Sequence, residues 1–137
     1  MLALLSLLGA LRCTTSVTPS LPTPPAAQPE PQKRGGECNS AAQCRDLCAR
    51  RQPRACLVLA HMLEVGRGAP QSNDKAGEAY AAACNLSVVE ACTQLAMMHD
   101  VGLLQEPAKE RALELYQRAC RLKDSWACRR SRQLEGQ

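Results

Sequence analysis

Three strings decide the fold: CARRQPRAC at residues 48–56, CNLSVVEAC at 84–92 and CRLKDSWAC at 120–128. Each opens and closes on a cysteine, the two lying eight positions apart, and successive strings begin 36 residues apart. Within one helix a disulfide at this spacing is sterically impossible. Between two helices joined by a tight turn it is natural. The pairs Cys48–Cys56, Cys84–Cys92 and Cys120–Cys128 are therefore expected to clip three helix–helix turns. Each closed loop contributes about 2.5 kcal/mol in the chain-entropy picture. That matters in an array of few repeats, where core burial alone is thin.

Working outward, Cys56–Ala91 superposes on Cys92–Ala127 without a gap, with 13 identities in 36 positions. They include Leu59/Leu95, Ala60/Ala96, Met62/Met98, Gly66/Gly102, Ala76/Ala112, Tyr80/Tyr116 and Ala83/Ala119. A repeat of this period signals a solenoid. Each unit reads as two helices. The first, about Ala55 to Val65, carries Cys56, Leu59, Ala60 and Leu63 at helical spacing and stops at Gly66. The second, about Ser72 to Cys84, starts on a capping Ser72 or Asn73 and buries Ala76, Tyr80, Ala83 and Cys84. Its counterpart in the next repeat has Pro107 near its start, and Glu114 with Arg118 in the favourable order on its exposed side. Ser40–Arg50 is in register with a second helix, and Ser125–Leu134 with a first. The expected fold is all-α: a short, disulfide-clipped α/α solenoid of about two and a half repeats, spanning 37–137. Arg129, Arg130 and Arg132 give its last helix a polar face suited to an open end.

The remaining cysteines are Cys13, Cys38 and Cys44. Cys38 lies just ahead of the first helix and is expected to fold back onto Cys44; two free thiols are the alternative. A zinc site would favour short C-x2-4-C knuckles in coordinated pairs, and the best short pair here is Cys44 with Cys48. No metal or cofactor is expected.

The folded part carries 14 Lys and Arg against 12 Asp and Glu, and the chain has no Phe, one Trp and two Tyr. A nucleic-acid binder needs a stronger basic excess and stacking aromatics, so nucleic acid is not an expected partner. Nine cysteines placed with a period point to an oxidising compartment. Residues 1–13 open with MLALLSLLGAL, a signal-like apolar run too short to cross a bilayer, and Cys13 follows it as a lipidation candidate. A positive n-region is missing and Arg12 occupies the place of a small residue, so a plain apolar N-terminus with a stray thiol remains the alternative. Residues 14–36 are Pro-rich and read as an extended linker.

The 36-residue α/α unit with A-x3-Y in its second helix (Ala76/Tyr80, Ala112/Tyr116) resembles the Sel1-like repeat, a relative of the tetratricopeptide repeats. The C-x7-C clip is similar to its cysteine-rich, secreted bacterial branch. A mitochondrial intermembrane-space factor shares that style. The turn GRGAPQSND before one second helix follows the family pattern; GLLQEPAKE before the other departs from it, and Met62 and Met98 replace an aromatic. The resemblance implies an exported adaptor in the periplasm, envelope or extracellular space, a monomer attached to a membrane, if at all, through its N-terminus. It would present a concave surface, with His61, Glu64, His99 and Asp100, to a protein or peptide.

The same branch offers a second expectation, a penicillin-binding or weak β-lactamase-like hydrolase. Ser72-Asn73-Asp74-Lys75 fits S-x-x-K, yet the companion S-D-N and K-T-G strings are absent. An N-capping serine beside a solvated lysine explains the same residues, so no catalytic residue is assigned. His61 and His99 are out of register: His61 aligns with Met97, and His99 with Leu63. Arg45, Arg50, Arg51 and Arg54 surround the first clip, as a solvated cap or as an anion-docking patch.

Overall fold

A computed structural model of the chain describes residues 37–136. The signal-like segment, Cys13 and the Pro-rich linker lie outside them. Among the described residues there are six helices and no strand: α1 (Ala41–Ala49), α2 (Pro53–Val65), α3 (Asn73–Asn85), α4 (Val89–Asp100), α5 (Lys109–Arg121) and α6 (Ser125–Glu135). Each packs chiefly against its neighbours in sequence. The fold is therefore an α/α array, in which α2 and α3 form one repeat, α4 and α5 the next, and α1 and α6 a half-repeat at each end.

Local chemistry sets the boundaries. Ser40 Oγ accepts the Gln43 N–H at 3.2 Å and starts α1. Pro53 is the first residue of α2, where its missing N–H costs nothing, so the helix begins two residues before the expected Ala55. Gly66 ends α2 in the left-handed conformation at φ 72°, returning its N–H to the Met62 carbonyl. Ser72 Oγ accepts the Lys75 N–H at 3.3 Å and starts α3. Asp124 caps α6 through the N–H groups of Trp126 and Ala127. Thr93 donates to the same carboxylate at 2.6 Å and, ahead of the backbone bonds, holds its pKa below the usual range.

The three inter-repeat turns share one backbone geometry. Arg51, Ser87 and Lys123, spaced by 36, each adopt a positive φ, of 61°, 65° and 75°. A side chain there costs about 1 kcal/mol or more, and glycine stands at none of the three. The clip beside each turn helps to hold it. Cys48–Cys56, Cys84–Cys92 and Cys120–Cys128 bridge Cα atoms 4.6, 4.7 and 4.5 Å apart, and Cys38–Cys44 joins α1 to the residue two before its cap. Cys44 stands 36 residues before Tyr80 and is wholly buried, its sulfur 3.8 Å from that of Met62. At the first half-repeat, a disulfide thus fills the place that tyrosine takes in the complete repeats.

The core is one continuous cluster. Alanines 60, 76, 83, 91, 96, 112, 119 and 127 are fully buried in it and let the helices approach closely. Leu59, Leu63, Leu95, Leu115, Met98, Tyr80 and Tyr116 fill the space between. One surface expectation is corrected. Glu114 pairs with Arg111 at 2.7 Å, one turn earlier on α5, whereas Arg118 reaches Asn85 Oδ1 at 3.2 Å. The amide of the preceding repeat gives Arg118 a contact that the helix surface alone did not reveal.

Candidate functional site

The first helices α2, α4 and α6 align positions 36 apart on one face: Arg54, Glu90 and Trp126; Val58, Gln94 and Arg130; His61, Met97 and Gln133; Val65 and Val101. These positions recur every three or four residues, so each helix gives them as a single stripe. Contacts between neighbouring first helices join the stripes. His61 Nε2 lies 3.4 Å from Glu90 Oε1, and Arg130 Nη2 lies 2.7 Å from Asp100 Oδ2. Val65, Val101 and Trp126 are 63%, 64% and 40% exposed, three of the four large apolar side chains exposed among the described residues.

Beneath this face each complete repeat has a buried tyrosine tied to a carboxylate sixteen residues earlier. Tyr80 donates to Glu64 Oε2 at 2.5 Å, and its hydroxyl is also 2.9 Å from His61 Nδ1, with the two rings edge to face. Burial first, then the Glu64 bond and charge, push the Tyr80 pKa well above its ordinary value. Tyr116 donates to Asp100 Oδ2 at 3.3 Å and packs edge-on to Trp126 at 5.5 Å. Burial and then Asp100 raise its pKa to about 12. Both hydroxyls stay protonated at any physiological pH, as buried donors fixing first helix to second.

The four residues expected on one surface therefore divide. His61 and Glu64 come together, at 3.8 Å, with Glu90 beside them. Asp100 is drawn in: its side chain is only 7% exposed and is closed by Tyr116 and Arg130. His99 sits elsewhere. It occupies the register of Leu63, which turns inward, and so faces the second helices and the 101–108 loop. Its Nδ1 accepts the Ala108 N–H at 3.3 Å, in a groove of about 450 Å³ that also holds Asp74, Glu78, Glu106 and Arg111. Burial, then the Arg111 charge, lower its pKa. Sequence reasoning missed Glu90, Arg130 and Trp126. The available signal was the common sixteen-residue step from Glu64 to Tyr80 and from Asp100 to Tyr116, a carboxylate–tyrosine pair in both repeats.

A groove of about 620 Å³ lies between α1 and α3 and is lined by Arg45, Lys75 and Glu78 over Leu59 and Leu63. Its floor is aliphatic and its rim is charged. Ser72 borders no reactive arrangement, since its oxygen is occupied in capping α3 through the Lys75 main chain. Of the arginines about the first clip, Arg50 is paired with Asp46 at 3.1 Å, both largely exposed. Among the described residues no three His, Cys, Asp or Glu side chains converge as a metal site requires, and no helix is long and apolar enough to cross a membrane.

The model of the Sel1 repeat family matches residues 53–87 and 89–124, the two complete repeats. Among solved structures the chain is similar to a protective antigen present in uropathogenic Escherichia coli strains and displaying an SLR fold. The TM-score is 0.59 at 21% identity, and the match covers 64% of this chain and 19% of that one. The chain thus spans about a fifth of that protein, and the likeness concerns the fold alone. No curated protein sequence matches the chain.

Proposed function

The chain belongs to the Sel1-repeat family, and from that premise we propose that it is an exported adaptor whose first-helix face docks a protein or peptide partner. Sel1 repeats generally serve protein–protein interaction. The observation that carries the reading is that Val65, Val101 and Trp126, all exposed, fall at the aligned first-helix positions that also include His61 and Glu90. Large apolar side chains exposed along one face suit a partner's surface better than they suit water. A tryptophan among them is a common anchor. Asp100 supports the face from below, and His99 is outside the docking surface.

Export rests on the disulfides. Four in 100 described residues suit an oxidising compartment and would not persist in a reducing cytosol. Residues 1–13 would direct export, with Cys13 as the attachment point if it is acylated, and 14–36 would space the repeat domain (37–137) from that point. No contact of Ser72 or Lys75 favours the hydrolase reading.

Affinity capture from envelope extract tests the adaptor. The full-length oxidised protein should recover a partner that the Val65→Asp/Val101→Asp variant fails to recover, while both give the same helical circular dichroism. Recovery of the same proteins by both would remove this face from the proposal. Fractionation of cells checks the compartment: the protein should leave the cytosol with no reactive thiol among its eight repeat-domain cysteines.

A further inference from the structure

We infer that the groove between α1 and α3 takes a segment of a partner protein that lays a leucine or isoleucine side chain over Leu59 and Leu63 and sets an aspartate or glutamate against Arg45. The groove shares no residue with the first-helix face, so this is a second docking site, beyond the one proposed above.

Two observations carry it. The first comes from the second repeat, which closes the equivalent place with its own side chains. Ala49, Ala79 and Ala82 border the groove. The residues 36 positions on are Asn85, Leu115 and Arg118. Leu115 is buried, and Arg118 reaches from α5 to Asn85 on α3 at 3.2 Å. Between α1 and α3 the three alanines instead leave about 620 Å³ open above Leu59 and Leu63. An aliphatic side chain laid there gains the burial and contacts that water does not supply. Leucine is the side chain that this protein itself uses at that register.

The second is charge. Arg45, Lys75 and Glu78 form the rim. Glu78 can offset Lys75, as their counterparts Glu114 and Arg111 offset each other at 2.7 Å. Asp46, next to Arg45 in sequence, pairs with Arg50. Among the described residues Arg45 is thus left without a carboxylate. Its counterpart in the second repeat is Ala81, so the scaffold itself does not require a cation at this register. A guanidinium at the edge of an aliphatic floor matches a carboxylate beside an aliphatic side chain, and a planar pair of this kind fixes orientation as well as charge.

An array of defined octapeptides, probed at neutral pH with the labelled full-length oxidised protein, should retain sequences with Leu or Ile next to Asp or Glu. The tightest of them, titrated in solution, should bind Val65→Asp/Val101→Asp as well as it binds the wild type. The triple variant Ala49→Asn/Ala79→Leu/Ala82→Arg gives the groove the residues of the second repeat. It should weaken the peptide about tenfold or more, with helical circular dichroism unchanged. Arg45→Glu, at an exposed position, should weaken it about as much and tests the site independently of how the triple variant folds. Retention of no such peptide, or equal binding by the wild type and either a folded triple variant or Arg45→Glu, would overturn the inference. Peptides lost only in Val65→Asp/Val101→Asp would overturn it as well, and leave the first-helix face standing.

Discussion

The two complete repeats bury the same tyrosine in the same socket and surround its hydroxyl differently. Around Tyr116 the group is closed: Asp100 is one methylene shorter than Glu64, Arg130 covers it, and Trp126 lies against the ring. Around Tyr80 it is open: the carboxylate is longer, no cation covers it, and His61 and Glu90 carry the network out to solvent. The tyrosine–carboxylate bond is thus a scaffold device common to both repeats. What varies is whether the carboxylate is fully consumed by the scaffold. Only the first complete repeat leaves its carboxylate partly exposed, 33% at Glu64 against 7% at Asp100.

The contrast presumes that the two repeats fold as one unit, and the middle clip tests this most severely. Cys84 and Cys92 join them and are buried. Cys84→Ala with Cys92→Ala should cost about 3 kcal/mol in urea unfolding. If the repeats are coupled, one transition moves to lower denaturant. Two separated transitions would mean that the repeats stand independently and that the two tyrosine groups must be compared as isolated modules.

Next in size is a paired deletion within the groups. Asp100→Ala leaves Arg130 without its partner and the Tyr116 hydroxyl without an acceptor, and should cost about 2 kcal/mol. Glu64→Ala leaves Tyr80 in reach of His61 Nδ1, which can accept in its place, and should cost about 1 kcal/mol. Equal losses, or a larger loss at Glu64, would contradict the division into a closed scaffold group and an open one. Alkaline titration followed at 295 nm offers an independent reading. Tyr116 should ionise near 12 and Tyr80 later still, with no step near 10. Stability owed to both protonated hydroxyls is complete below 10 and is lost as pH climbs through those raised values.

Much of the scaffold was legible because periodicity encodes it. The 36-residue step, the buried alanines and leucines, the capping Ser72 and the cysteines at the turns are local patterns that survive without knowledge of the packing. The site was less legible because its partners lie on different helices. Nothing near Asp100 in sequence announces Arg130, thirty residues on, and nothing near His61 announces Glu90. His99 shows the same limit in another form. Its two-residue shift from the register of His61 moves it from the exposed face to the opposite side of α4, beside the 101–108 loop. Only the superposition of His99 on the buried Leu63 hinted at that.

The loops between first and second helices extend the comparison at smaller amplitude. Ser72 and Ala108 stand 36 apart, with nearly the same ψ of 111° and 112°, at the start of α3 and α5. Serine caps its helix and alanine cannot. Ser72→Ala should therefore lose about 1 kcal/mol and Ala108→Ser gain about as much, read as opposite shifts in Tm. If Ala108→Ser gives no gain, the loop before α5 does not present the cap geometry that its dihedrals indicate.

The smallest effect concerns the N–H groups of the same two residues. The Ser72 N–H goes to the Leu63 carbonyl at 2.9 Å, an acceptor that does not titrate. The Ala108 N–H goes to His99 Nδ1, which can accept only while the imidazole is neutral. Burial, then the Arg111 charge, hold the His99 pKa below 6.5, in a groove that Asp74, Glu78 and Glu106 also line. A base with a lowered folded pKa stabilises the fold above its unfolded value, and that contribution is lost as pH falls through the folded one. Acidification from pH 6.5 downward should therefore release the Ala108 amide first. Hydrogen exchange, corrected for its intrinsic pH dependence, should show Ala108 losing protection while Ser72 keeps its own. The 101–108 loop would remain tied by Asn73 Nδ2 to the Leu103 carbonyl and by the Gln105 N–H to Asp74. The loss should accordingly be confined to the Ala108 end, and parallel loss at Ser72 would show global acid unfolding in place of a histidine-gated contact.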